Sequence, residues 1–398
     1  MKRTLLSIGL MVLVIFTLTA CNSAGKYSKD GKKHFDNGKY EEAAESFLKA
    51  VDRNPNRTDY YIDYGMTLIA LGRYDEAIVQ FDQAYRDKDI KIIKQNNKKI
   101  LRGKGIAYYH SKQYEKAIEQ FDLALQISEW SDLNLDILYY KGNSLMATGF
   151  YDLAIAVYDE ILSQDAKNVP ALLERAYSYR IIGAYENALE DYDRAITLKP
   201  DNYDCYFGKY NLLLEYGMDT EAAEILAQAS AIAEDGQEDL FNIAKLHYYQ
   251  GSLDLALAEL EESYEKGFVE AYFYIGEIYR EKKDYLKAIY YYEIFLEERM
   301  LQSPSVYNQL GYCFIKLGDP SKAVTYLEKG IAMNHAGTKK ALMKNEIIAY
   351  EELGEFEIAS EKMQEYLMLF PDNLEAQREN SFIKTRIIST ESNEGEER

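Results

Sequence analysis

The sequence predicts an all-α solenoid of about ten helix–turn–helix units closed by a C-terminal capping helix. Three observations carry this reading. An alanine returns every 32 to 40 residues, a glycine usually stands five residues ahead of it, and apolar residues recur at helical spacing around it. The stretch "GAYENALEDYDRAITLKPDN", residues 183–202, shows all three. Tyr185, Ala188, Leu189, Tyr192, Ala195 and Ile196 form the stripe of an amphipathic helix. Gly183 sits where the preceding helix must end in a left-handed residue, and Pro200 sits where the helix cannot continue.

The same stretch recurs along the chain. The alanine returns as Ala43, Ala77, Ala117, Ala154, Ala188, Ala222, Ala256, Ala288, Ala323 and Ala359. Glycine precedes it by five residues in eight copies, the exceptions being Lys112 and Lys283. Twelve residues upstream lies Gly31, Gly65, Gly105, Gly142, Gly276 or Gly311, with Ala176 and Ala244 in two more copies. Glycine within a helix costs about 0.5–1 kcal/mol relative to alanine, so these six cost roughly 3–6 kcal/mol together. Close packing of each first helix against its neighbours must offset that. Tyr210 and Ile347 replace the small residue in copies six and ten, where splayed junctions are expected. All six prolines fall in turns or at helix starts in this register.

The small, Gly–x–Tyr and Ala–x–x–x–aromatic signature in "GKGIAYYHSKQYEKAIEQFDLAL", residues 103–125, resembles the tetratricopeptide repeat (TPR), a two-helix unit with a 34-residue period. The resemblance covers residues 27–373 and implies a right-handed superhelix whose first helices line a concave groove for a peptide or protein partner. A capping helix follows at 374–388 and an acidic, disordered tail at 389–398.

Residues 1–20 read as a lipoprotein signal peptide: Lys2 and Arg3, a 16-residue apolar run, and "LTAC" ending in Cys21, the expected lipidation site. The run is short for a membrane span, which needs about 20 residues. Residues 21–26 form the lipidated N-terminus and a short linker. The expected address is the extracytoplasmic face of a bacterial cell membrane, with the membrane reached through the N-terminal lipid. Lys26, Lys29, Lys32, Lys33 and Lys39 cluster beside that anchor, either against anionic lipid or as a solvated face.

Without the leader, 44 basic residues face 66 acidic ones, a net charge of −22. That argues against nucleic acid as a partner. The four histidines form no HExxH motif, "GKG" at 103–105 is followed by no Ser or Thr, and no GxSxG occurs. The sequence therefore predicts no enzyme, no cofactor and no metal. Cys205 and Cys313 lie three repeats apart and are expected to remain unbridged.

Carried onto this chain, the family's groove register selects Tyr109, Tyr139, Asn143, Tyr177, Arg180, Phe207, Asn211, Lys245, Tyr248 and Phe273 as the partner-binding surface, with Phe241, Tyr249, Glu277 and Arg280 beside them. The resemblance implies asparagines at Asn143 and Asn211 that pair with an extended backbone. The family's carboxylate clamp is not reproduced. The leading expectation is a scaffold lipoprotein of envelope assembly or secretion. A glycan or small-ligand receptor and a self-assembling spacer are the alternatives, and the oligomeric state is left open. Two irregularities remain. Seven basic residues crowd Lys88–Lys104, as an acidic-partner dock or a lengthened helix end, and the single tryptophan, Trp130, stands in a long junction.

Overall fold

The computed structural model describes residues 23–232, 237–299 and 303–396. Among these residues the secondary structure is helical, with no strand. Ten hairpins follow one another: α1 (residues 23–36) with α2 (Tyr40–Arg53), α3 (Thr58–Ala70) with α4 (Tyr74–Ala84), α5 (Lys91–His110) with α6 (Tyr114–Leu125), and α7 (Asn134–Ala147) with α8 (Tyr151–Gln164). Then come α9 (Val169–Ile181) with α10 (Tyr185–Leu198), α11 (Tyr203–Glu215) with α12 (Asp219–Ala229), and α13 (Gln237–Tyr249) with α14 (Leu253–Glu265). Last are α15 (Ala271–Glu281) with α16 (Tyr285–Arg299), α17 (Pro304–Lys316) with α18 (Pro320–Ala332), and α19 (Ala336–Leu353) with α20 (Phe356–Leu369). The capping helix is α21 (Leu374–Glu396). It runs past residue 388, across most of the stretch read as a disordered tail. Nothing between Ile388 and Gly395 breaks a helix. The chain divides after Ala171 into two compact units.

All ten repeat alanines have no exposed surface. The helical glycines answer the cost set out above, because each gives its place to a large side chain, a ring in five copies and Leu327 at Gly311. A Cβ at Gly65 would lie 2.7 Å from the Phe81 ring, and one at Gly103, on the next hairpin, 2.4 Å from that ring. The Phe81 ring is thus gripped from two sides and fully buried. Gly105 faces Phe121, Gly142 faces Tyr158 and Gly276 faces Tyr292 in the same way, each glycine meeting a ring of its own second helix. Gly208 instead faces Tyr192, a ring of the hairpin before it.

Copy ten departs from the splaying expected of it: Ile347 and Met363, which stands at the ring position, are buried in one cluster, so a smaller partner absorbs the larger first-helix side chain. In copy six the bulky Tyr210 is buried and packs forward on Tyr249 of the next hairpin, with centroids at 5.0 Å.

The eight glycines before the repeat alanine all have positive φ, between 70° and 82°. Lys112 and Lys283, which stand there in copies three and eight, take the same conformation, with φ of 60° and 61°. The geometry is that of a helix stop: the Lys112 N–H donates to the Tyr109 carbonyl and the Gln113 N–H to that of Tyr108, at 3.0 and 2.8 Å. A left-handed L-residue costs about 1–2 kcal/mol. Both lysines are exposed, so no packing is lost with them. Lys112→Gly and Lys283→Gly will each stabilise their own unit by about 1 kcal/mol, since glycine removes the strain but widens the unfolded ensemble. An unchanged urea midpoint would show that the strain is relieved in some other way.

The basic run leads into and forms the N-terminal part of α5; Lys88 and Lys91 are exposed, and the later charges turn inward or pair. Lys98 has no exposed surface, and its Nζ donates to the Ile127 carbonyl at 2.7 Å, closing the end of α6. Burial lowers its pKa. Lys94 bridges Asp89 at 2.6 Å, Lys104 meets Asp82 at 2.7 Å, and Arg102 pairs with Asp136. The Lys99 ammonium lies 4.1 Å over the Trp130 ring, on a left-handed turn with φ 63°. The run is therefore a lengthened helix whose exposed start, through Ile92, is solvated and whose later residues brace the repeat.

Cys205 and Cys313 are free and fully buried, and burial pushes both thiols up to about 12. Such thiols are protonated and unreactive at neutral pH. Among the described residues no helix is long and apolar enough to cross a membrane.

Candidate functional site

The first helix of each hairpin carries the groove register, so each candidate is fixed by the packing of its own alanine and glycine core. In the N-terminal unit the register brings aromatic rings together. Tyr109 packs edge-on to Tyr114 and Tyr140 at 5.7 and 5.4 Å, and His110 stacks on Tyr74 at 5.8 Å. Tyr139 spends its hydroxyl on the Asn168 side chain. The Tyr158 hydroxyl donates to Asn143 Oδ1 at 2.7 Å. One of the two acceptor positions of that oxygen is thus taken by its own hairpin, which leaves the expected backbone-reading asparagine partly occupied.

In the C-terminal unit the candidates converge on Lys245. Its Nζ lies 4.4 Å from the centroid of the Phe207 ring, 5.4 Å from Phe241 and 5.7 Å from Tyr274. Asp204 is the nearest carboxylate, at 3.9 Å. Ring faces are electron-rich and hold a cation where water is scarce. Burial nevertheless lowers the Lys245 pKa, opposed by the charge of Asp204. Around this box Tyr249 packs on Phe207 and Tyr210, with centroids at 5.3 and 5.0 Å, and on Tyr248 at 5.3 Å. Tyr248 donates to Glu281 at 2.8 Å; burial, then the charge of Glu277, holds its phenol well above the usual range. The Asn211 side chain bonds the Tyr249 hydroxyl. A polar cleft of about 460 Å³ opens beside the box, between Asn202, Asp204, Asn242 and Glu270.

Three candidates prove to be structural. Phe207 is only 4% exposed and forms the floor of the Lys245 box, so it is not a surface anchor. Arg180 pairs with Glu215 and lies 4.9 Å over the Tyr177 ring, which engages its charge within the chain. Glu277 is buried, taking hydrogen bonds from Tyr292 at 2.5 Å, Gln309 at 2.8 Å and Arg280 at 2.8 Å. Tyr177, Tyr248 and Phe273 remain half-exposed. Tyr274, one residue beyond the register position on α15, was missed. Its only signal is that it belongs to the run "YFYIGEIYR", where every ring reads equally well as packing. Cys21 lies outside the described residues. Among the described residues, no group of three or more His, Cys, Asp or Glu could hold a metal.

Comparison with known proteins places this architecture. Two family models, both described as tetratricopeptide repeat, match residues 30–91, 139–203, 241–303 and 304–335, more than half of the chain. The chain belongs to the tetratricopeptide repeat family. Among curated TPR relatives, the BBSome complex member BBS4 of Bos taurus is 24% identical over 198 residues, half of this chain and 36% of that protein. The Hsp70-Hsp90 organizing protein of Triticum aestivum is 26% identical, over 45% of this chain and 36% of its own length. DnaJ homolog subfamily C member 7 of Mus musculus is 24% identical, over 69% of this chain and 67% of its own. The chain spans well under half the length of the first two. Among solved structures, a TPR protein from Parabacteroides merdae is 19% identical with a TM-score of 0.48, covering 62% of this chain and 94% of that one. YrrB, described as a TPR protein with an unusual peptide-binding site, is 20% identical with a TM-score of 0.40, covering 50% and 97%.

Proposed function

We propose that this TPR chain is a non-enzymatic scaffold, tethered to the extracytoplasmic face of a bacterial membrane through lipid on Cys21, that holds an extended segment of a protein partner on its first-helix surface. The fold is that of a protein-interaction scaffold, and TPR proteins generally bind proteins or peptides. The observation that carries the reading is the half-exposed aromatic cluster of Tyr248, Tyr249, Tyr274 and Phe273 around a caged Lys245. Rings supply large contact area at low entropic cost, and a peptide laid across them would meet no catalytic group. Envelope assembly or secretion is the setting this address suits.

Two measurements test the proposal. Capture of partners by the chain carrying Tyr109→Ala, Tyr248→Ala and Phe273→Ala is expected to fall at least tenfold, because each lost anchor costs on the order of 1 kcal/mol or more. Undiminished capture would remove these helices from binding. Labelled palmitate is expected to enter the wild-type chain and not the Cys21→Ser variant, which should leave the membrane pellet. A Cys21→Ser chain that stays in the pellet would refute the lipid tether.

A further inference from the structure

A second cavity lies in the C-terminal unit, where the last hairpin meets the capping helix. It encloses about 200 Å³ between α19, α20 and α21. Its walls are apolar, from Ile347, Ile348, Met363 and Ala376. Its polar lining is largely spoken for. Lys344 pairs with Glu375 at 2.8 Å on the rim. Asn373 donates to the Tyr366 hydroxyl at 2.7 Å and accepts from the Ala376 N–H at 3.1 Å, capping α21.

Two carboxyls remain. Glu351 from α19 and Glu379 from α21 face each other across the cavity within hydrogen-bonding reach. Glu351 Oε1 is shielded from solvent, and no N–H or O–H among the described residues reaches it. Two carboxylates so placed cannot both ionise without a counter-charge. Burial, and then the charge of Glu379, pushes Glu351 up to about 7. The other titratable groups around Glu351 are Lys344 and Glu352 on its own helix, Tyr366 on α20 and Glu375 on α21.

We propose that this cavity binds an organic monocation on a short apolar stem, as an arginine or lysine side chain presents, with Glu351 and Glu379 as its counter-ions. The stem would lie along Ile347, Ile348 and Met363, and the cation would displace the Glu351 proton to solvent. A hydrated divalent ion fits less well, since calcium takes six to eight oxygen ligands and these walls are hydrocarbon. Lys344, Ile348 and Glu351 occupy groove positions of the tenth repeat, so the cavity belongs to the surface assigned above to a peptide. The peptide source of the cation rests on that reading; the cavity itself does not.

The test is calorimetric titration of the full chain with n-butylguanidinium. Saturable one-to-one binding is expected, about tenfold tighter at pH 8 than at pH 6 because the proton it displaces leaves near pH 7. Proton release should accompany binding at pH 6. Glu351→Gln and Glu379→Gln, isosteric and checked for helicity by circular dichroism, should each weaken binding at least tenfold. No saturation, equal binding by both variants, or competition by calcium at equal concentration would overturn the proposal. Displacement of the probe by acetyl-Gly-Arg-Gly-amide supports a peptide side chain as the source. Binding of the probe with no displacement by the peptide would overturn that source and leave the cavity standing.

Discussion

Replacing Phe81 with alanine is expected to destabilise the N-terminal unit by about 3–5 kcal/mol, the range for emptying a buried phenylalanine site. The upper half of that range applies, because the two surfaces around the ring are backbone. Gly65 and Gly103 bring no side chain that could swing into the void. The first helices of the second and third hairpins would have to slide to close it. The urea midpoint should fall, and hydrogen exchange should show the loss in α3, α4 and α5, the helices that grip the ring. Phe81→Leu, which keeps most of the volume, should cost much less. Equal losses for alanine and leucine would show that ring shape, not volume, fixes the junction.

Glu277→Leu is the second large effect, about 3–5 kcal/mol in the C-terminal unit. Three donors, from Tyr292, Gln309 and Arg280, converge on this buried carboxylate. Removing it strands the Arg280 guanidinium among Tyr248, Tyr292 and Tyr312 without its counter-charge. Breaking one side of a buried pair costs more than the pair contributes when whole. The Arg280 side chain keeps some solvent contact, 24%, which places the loss toward the lower end. Glu277→Gln keeps an acceptor for Tyr292 or Gln309 and should lose only about 1–3 kcal/mol. If the two variants melted together, the charge would be irrelevant to the fold.

The hairpin order was legible in the residues because alanine and glycine leave no other reading. A residue with no side chain at a fixed offset from a ring states a contact. Turn positions were legible where glycine marks them, whereas at Lys112 and Lys283 the residue type hid the left-handed turn. The groove was less legible. Register says which way a first-helix side chain leaves its helix, but not whether the next hairpin covers it. Phe207 and Glu277 point along the predicted face and are covered. The inward-turned part of the basic run was hidden for a related reason. Charge in a sequence suggests solvent, and nothing in "KIIKQNNKKILRGK" announces that Lys98 meets a bare carbonyl at the end of α6. The tolerance of Ile347 depends on Met363 in the following helix, a compensation visible only once the two helices are paired.

Where a ring sits also decides where the chain can be cut. Most rings find their glycine inside their own hairpin, as Phe121 does with Gly105 and Tyr158 with Gly142. Tyr192 reaches forward instead, to Gly208 of the hairpin that follows, and Phe81 does both, meeting Gly65 in its own hairpin and Gly103 in the next. A fragment ending after α4 or after α10 would uncover a ring face that a glycine of the following hairpin closes. One ending after α6 would bare Phe121, on which Tyr140 of α7 stacks at 6.0 Å. At each of these three points a shortened version of the protein exposes a ring that the next first helix covers.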